Sequence, residues 1–584
     1  MPRTPRQRAL RAGGPPARGP SERWLRALIG SAPAARRFFD PDWYLVRHPD
    51  LLSAGVDPVA HYAAHGAREG RDPSPFVSAR WYADRVPEVA GGRTSVVEHL
   101  VATGDAEGRA TSPFVDLDWY RRASPDLEES GLTPLEHLMT VGLRERRSPS
   151  PYLDLAGYAA AQPDVERSGL DPFLHFVTVG HGLGWWPHPL WREQDYVLAN
   201  PYVRFALAMG KARSGFEHFC AIGHEQAARG DVVVSYVVDG IVHEHVEARH
   251  LAAHPDVAEA VAAGRYRHGI EHLFADGHRE LASGSRTIGV EGPPRASATH
   301  RGVHAGADTD LVVLFAHHDR DRDLDEHVVR ALTALVDAGA AVHLVTTGLD
   351  DAGLARALPL VASVIVKAEN ASTLDFGSWS LAATTLGAEA LARPRWVVLA
   401  NDSSYFPVRD PSALLAHLRA STADVWAATD SLSWDRHHLQ SYFLALGPAA
   451  RGVLLPAIAR RIATHSGLSK TGLVQRFEVG LTRDAIEAGL TVDVFRSARD
   501  VLAEPERVGL ARHRPDHPTA VVITNLTHHL WRGMLREHGL PFLKVELLRD
   551  NPLEVDVAGW EQELDPSWVG TIERHLARVR RTTE

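Results

Sequence analysis

The sequence predicts an α/β fold, a mostly parallel sheet covered on both faces by helices, preceded by an all-α array of short repeats. Three observations point there. A block of residues recurs at constant spacing through the first half, with His61, His99, His137 and His175 each 38 residues after the last. Short apolar runs alternate with helical patterns in the second half, the pattern of strand–helix units. Each run then gives way abruptly to polar residues, as where Trp396 to Ala400 is followed by Asn401-Asp402-Ser403-Ser404.

Residues 1–37 are rich in Arg, Pro, Ala and Gly and lack the apolar core of a secretory signal. They are expected to form a disordered, basic tail. Residues 38–282 hold about six repeat units. One reads Trp43-Tyr44, His48-Pro49-Asp50-Leu51, Gly55-Val56-Asp57-Pro58, His61-Tyr62 and Gly66; the later ones carry Trp81-Tyr82, Trp119-Tyr120, Tyr158, Tyr196 and the more divergent block His254 to Gly277. Each unit predicts two short helices, with Pro in a first turn and Gly at an end. The aromatic and histidine pairs are expected to pack unit against unit, which makes the array a scaffold or binding surface. Residues 283–309, with Gly292-Pro293-Pro294, read as a linker.

From residue 310 to 555 the strands are predicted at Leu311–Ala316, Ala341–Val345, Val361–Val366, Trp396–Ala400 and Val425–Ala428, and a helix at Asp325–Ala338. Asp410-Pro411 is expected to open a helix carrying Leu414, Leu415 and Leu418. Residues 556–584 read as a helical tail. The strand ends are richer in chemistry than the strands. His317, His318 and Asp319 follow the first, Glu369, Asn370 and Asp375 the third, Asn401 and Asp402 the fourth, Asp430 and Ser431 the fifth. Open α/β sheets bind ligands at that edge. Without a Gly-x-Gly-x-x-Gly or Walker loop, a dinucleotide or P-loop site is not expected. Carboxylates around a phosphorylated ligand call for a divalent cation, Mg²⁺ or Mn²⁺.

Composition narrows the classes. Net charge is −10, so the whole molecule offers no basic footprint for nucleic acid. The single cysteine, Cys220, excludes an intramolecular disulfide and a cysteine zinc cluster.

The order of motifs over residues 311 to 553 resembles the rhamnan synthesis protein F family of bacterial polysaccharide glycosyltransferases. The matching blocks are Phe315-Ala316-His317-His318-Asp319, Glu369-Asn370, Asp375-Phe376-Gly377-Ser378-Trp379 and Leu399 to Tyr405. Thr429-Asp430-Ser431, His438 to Leu444, Phe477 to Thr482, Asn525 to His528 and Pro541 to Pro552 follow. The resemblance implies a GT-A-type transferase that moves a sugar, rhamnose or a related deoxysugar, from a nucleotide-sugar donor such as dTDP-rhamnose to a growing cell-surface polysaccharide. Asp402 then looks like the metal contact, with Ser403 standing where the family has a second acidic residue. His318, Asp319, Asn370, Asp375, Asn401 and Ser403 would line the nucleotide-sugar pocket. Glu478, read as preceding a helix, is the first candidate for catalytic base and Asp430 the second. His438, Gln440 and Lys544 are expected acceptor or phosphate contacts. A cytoplasmic enzyme working on a lipid-linked glycan at the inner face of the plasma membrane is implied, with protein partners docking on the repeats. Two alternatives differ in class: a non-catalytic glycan-binding scaffold, and a zinc-dependent sugar deacetylase suggested by Ala316-His317-His318-Asp319.

Overall fold

The computed structural model describes residues 38–92, 94–304, 309–369, 371–432, 437–503 and 525–581. The expected basic tail and Asn370 lie outside the described residues. Two compact units are present. One closes at residue 236 and resumes over 245–288; the other comprises 237–244 and 289 onward.

The first unit consists mainly of short helices, three segments to a recurrence where the sequence reading expected two. Pro41–Arg47, Pro49–Ser53 and Pro58–His61 form the first set, the last continuing through a π turn, Tyr62–Gly66. The unexpected break falls at His48, held at φ −128° and ψ 76°, because a residue before proline is driven out of the helical region. Asp40 and Asp57 accept backbone N–H groups as N-caps, ahead of Pro41 and Pro58 at the first helical position.

One side-chain arrangement recurs. The Tyr44 hydroxyl lies 3.0 Å from His61 Nδ1, and the pairs Tyr82–His99, Tyr120–His137, Tyr158–His175 and Tyr196–His218 repeat it at 2.9–3.0 Å. A Cβ on Gly66, Gly104, Gly142, Gly180 or Gly223 would come within 2.0–2.3 Å of that hydroxyl. The Tyr, His and Gly of the sequence pattern are therefore one constellation inside each of the first five recurrences, which corrects the expectation that the pairs join neighbours. Joining is done by backbone bonds such as Asp40 N–H to Pro73 O and Asp116 N–H to Pro149 O, and by ring contacts such as Phe76–Phe173 and Tyr152–Phe219.

The second unit is built on a nine-stranded sheet: Ala296–Arg301 (β1), Leu311–His318 (β2), Ala341–Thr347 (β3), Ser363–Lys367 (β4), Trp396–Asn401 (β5), Val425–Ser431 (β6), His438–Leu439 (β7), Phe443–Leu446 (β8) and Val492–Arg496 (β9). Its order is β7-β6-β8-β5-β2-β3-β4-β1, with β9 also on β6. Four pairings are parallel (β2–β3, β2–β5, β3–β4, β6–β9). Four are antiparallel (β1–β4, β5–β8, β6–β8, β6–β7). The sheet is mixed rather than mostly parallel. Chain length explains it: residues 432–442 between β6 and β8 are too few for a crossover helix, so β8 returns antiparallel. The expected linker contributes β1, an edge strand.

Both faces are covered as the unbroken apolar runs predict. Leu311, Val313 and Phe315 of β2 pack with Val328, Leu332 and Leu335 of Glu326–Asp337 (α1). Val312, Leu314 and Ala316 pack with Phe376 and Trp379 of Leu374–Ala392 (α2) and Ile458 and Ile462 of Pro448–Thr464 (α3). The expected helix after Asp410 is Ser412–Ala420, with Leu414, Leu415 and Leu418 buried and Asp410 accepting the Ser412 N–H. The carboxyl-terminal helix Pro566–Arg581 (α4) is no detached tail. Its Trp568, Ile572 and Leu576 share a core with Tyr405, Trp531 and Leu543.

Candidate functional site

From β2 the chain moves outward through β3 and β4, then returns to the other side of β2 as β5. Such a reversal leaves a crevice beyond the carboxyl ends of the two central strands, because their following loops depart in opposite directions. His318 ends β2 and Asp402 follows β5, and the His318 N–H donates to Asp402 Oδ2 at 3.0 Å. A cavity of about 750 Å³ opens there.

Asp402, Asp375, Ser403, His318, Asp319 and Lys544 all line it. Asn401 holds two of them in place. Its Nδ2 donates to Asp375 Oδ2 at 2.7 Å, and its Oδ1 accepts from the Ser403 hydroxyl at 2.6 Å. Lys544 reaches the Ser403 oxygen at 3.2 Å and lies over the Tyr442 ring. It comes from a short strand, Leu543–Lys544, paired antiparallel with Ser404–Tyr405. Lys367, the last residue of β4, donates to Ser378 Oγ at 3.0 Å.

Charge here is concentrated and poorly solvated. Burial, then the neighbouring Asp375, push the Asp402 carboxyl up to about 8. Burial also raises Asp375, against the opposing pull of Asn401, Lys367 and Lys544. Burial brings the Lys544 amine down to about 8 and lowers Lys367. Two buried carboxyls, Asp375 raising the proton affinity of Asp402, beside two amines, suit a ligand bearing both negative charge and a cation.

The other predicted residues fall elsewhere. Glu478 precedes the helical stretch Gly480–Glu487 but does not stand at a helix start, since helical backbone already runs from Lys470. It lies in a π turn, Val474–Val479, between the helical stretches Lys470–Leu473 and Gly480–Glu487. Ser441 donates to its carboxylate at 2.5 Å, and it does not line the cavity. Its charge nonetheless acts on Asp375 and Lys544. Asp430 is buried at the end of β6, two strands from β5, where it accepts from the Ala498 N–H and His437 Nε2. The first of those bonds meets the start of the helix Ala498–Leu502. Gln440 is buried and accepts from Thr429 Oγ1 at 2.7 Å; His438 is buried 4.0 Å from Glu478. Neither lines the cavity.

Several lining residues escaped the sequence reading: Lys367, Asp325, His327, His575 and Arg578. Arg578 engages Asp319, Asp321 and Asp325 together. The spacing of His575 and Arg578 on α4 was a usable signal, since residues three apart share a helix face. Asp325, His327 and His575 form a group whose ligand atoms all lie within 4.8 Å of one another. His317, by contrast, is bonded to Thr346 Oγ1 at 2.9 Å and Asp319 to Arg578. The Ala-His-His-Asp stretch behind the deacetylase reading thus assembles no metal cluster among the described residues.

Comparison of the chain with family models, with curated proteins and with solved structures gave no match. No helix among the described residues is long and apolar enough to cross a membrane.

Proposed function

We propose that the second unit is a nucleotide-sugar-dependent glycosyltransferase of GT-A type, acting on a polysaccharide or lipid-linked glycan. The observation that carries this is the pairing of Asp375 and Asp402 with Lys367 and Lys544 in one cavity at the β2–β5 reversal. A nucleoside diphosphate-sugar has the matching chemistry. Its diphosphate is a polyanion that lysines bind and a divalent cation bridges to carboxylates. About 750 Å³ is in the range of pockets that enclose such a ligand.

The residues fit a hard cation. Asp402 and Asp375 are the groups that would hold Mg²⁺ or Mn²⁺ with the phosphates, and the ion would supply charge neutralisation for the leaving diphosphate. Lys544, steadied by Ser403 and Tyr442, is assigned to a phosphate oxygen, and Lys367 to a second anionic group. Asn401 is a positioning residue that fixes Asp375 and Ser403. Glu478, held by Ser441 outside the cavity lining, sets the charge around Asp375 and Lys544 instead of taking the acceptor's proton. The first unit, with its recurrent rigid Tyr–His–Gly constellation, is assigned as a scaffold for protein or glycan partners at the inner face of the plasma membrane.

The test is turnover. Full-length protein is incubated with dTDP-, UDP- and GDP-sugars, Mn²⁺ and glycan acceptors, and release of the nucleoside diphosphate is followed. Release from one nucleotide class, lost in Asp402→Asn and Lys544→Met, is expected. Release unaffected by both substitutions would remove the cavity from the reaction.

A further inference from the structure

Asp325, His327 and His575 stand apart from the pair assigned to the diphosphate and its cation. Asp325 immediately precedes α1, His327 lies in its first turn, and His575 reaches them from α4. All three line the cavity, and each offers a ligand atom within 4.8 Å of the others.

Three features make this more than proximity. His327 is 5% exposed, and its Nδ1 has no hydrogen-bond partner, a costly state for a buried ring nitrogen unless something else occupies it. His575 is oriented from behind. Its Nδ1 lies 2.8 Å from the Tyr405 hydroxyl, and its Nε2 is 3.7 Å from Asp325 Oδ2. Metal-binding histidines are commonly held in that way, one nitrogen fixed by a neighbour and the other presented. Charge agrees as well. Asp319, Asp321 and Asp325 share the single guanidinium of Arg578, so these four groups together carry a surplus of negative charge.

We propose that Asp325, His327 and His575 form a binding site for a divalent transition-metal ion of the zinc or cobalt class, with its remaining coordination position open to the cavity. Two imidazoles and one carboxylate favour such ions over Mg²⁺, which prefers an all-oxygen shell. Three protein ligands with a vacant fourth position is the arrangement of sites that receive a ligand, not of closed structural ones. The cavity would then hold two cation positions of different character, a hard one at Asp375 and Asp402 and a borderline one here. The second goes beyond the transferase assignment and stands without it.

The experiment is titration of chelator-treated, full-length protein with Co²⁺ and Zn²⁺ in excess Mg²⁺, read by visible absorption and calorimetry. One tight equivalent with a Co²⁺ spectrum of low coordination number is expected. Asp402→Asn should retain it, His327→Gln and His575→Gln should lose it, and Tyr405→Phe should weaken it about 10- to 100-fold. Circular dichroism checks each variant's fold; Tyr405→Phe keeps the ring and alters no ligand, so it reports even where a histidine variant fails to fold. Wild-type protein that takes up neither ion overturns the proposal outright. Uptake unchanged in His575→Gln and Tyr405→Phe also overturns it, by placing the ion on other histidines of the chain.

Discussion

Asp402, Lys544 and Arg578 do different work within one cavity, and their substitutions should fail differently. Asp402→Asn keeps the shape and the bond from the His318 N–H while removing the carboxylate a cation would bind. Nucleoside diphosphate binding should then lose its dependence on Mn²⁺, with affinity falling about tenfold or more, the equivalent of roughly 1.4 kcal/mol. Lys544→Met keeps the packing against Tyr442 and removes a charged donor, worth about 1.5–3 kcal/mol. That loss should appear with and without metal. Arg578→Ala leaves Asp319, Asp321 and Asp325 facing one another. Because the group is only partly buried, about 2–3 kcal/mol of stability should be lost. Denaturant unfolding measures it, and a midpoint equal to wild type would show that the three carboxylates do not depend on the guanidinium.

At the scale of elements, the first unit rests on the Tyr–His–Gly constellation. Gly142→Ala places a methyl about 2.2 Å from the Tyr120 hydroxyl and should cost about 1–3 kcal/mol by overpacking. Tyr120→Phe should relieve that clash. The double variant should therefore lose less than the sum of the singles, the signature of groups in contact; strict additivity would contradict the constellation. The sequence displayed these residues at fixed spacing without showing what they touch. A recurrence of His and Gly reads equally as packing between units or within one, because periodicity records position and not partner. The same limit shaped the sheet. The both-face-buried strands β2 to β6 were legible as unbroken apolar runs. The antiparallel strand β8 was not, since Phe443–Leu446 is a run of only four residues, too short for its period to separate a strand from the start of the helix that follows at Pro448. β1 reads Ala-Ser-Ala-Thr-His-Arg, an edge strand with no apolar pattern to detect. Glu478 was misplaced for a related reason: its acidic residue before an apolar helical pattern resembled a helix start, but the helical stretch had already begun at Lys470.

Over the whole molecule, buried histidines set the response to acid. His188 donates from Nε2 to the Phe274 carbonyl and accepts the Leu190 N–H at Nδ1, so its ring is satisfied only when neutral. Burial, followed by the nearby His278, brings it down to about 3. His224, packed on Tyr152, is brought to about 3, chiefly by burial. Unfolded, both would titrate near 6.5. Between those values the unfolded chain binds protons that the folded chain refuses, so the contribution of these two histidines to stability is full above about pH 6.5 and is lost as pH falls toward 3. The thermal midpoint should be lower at about pH 5 than at about pH 7, and His224→Phe should flatten the slope. A pH-independent midpoint would contradict this.

The cavity's location was legible in the sequence from polar residues at strand ends, and Asp375, Asn401, Asp402 and Ser403 do meet there. Its far components, His575 and Arg578, show in the sequence only as two residues sharing a helix face, because long-range packing, not local pattern, brings α4 to the site. The most direct measurement is calorimetric titration of the full-length protein with dTDP, UDP and GDP, each with and without Mn²⁺, repeated on Asp402→Asn. The transferase account predicts tight binding of one nucleotide that Mn²⁺ strengthens in the wild type and not in the variant. No binding of any nucleotide under either condition would contradict it.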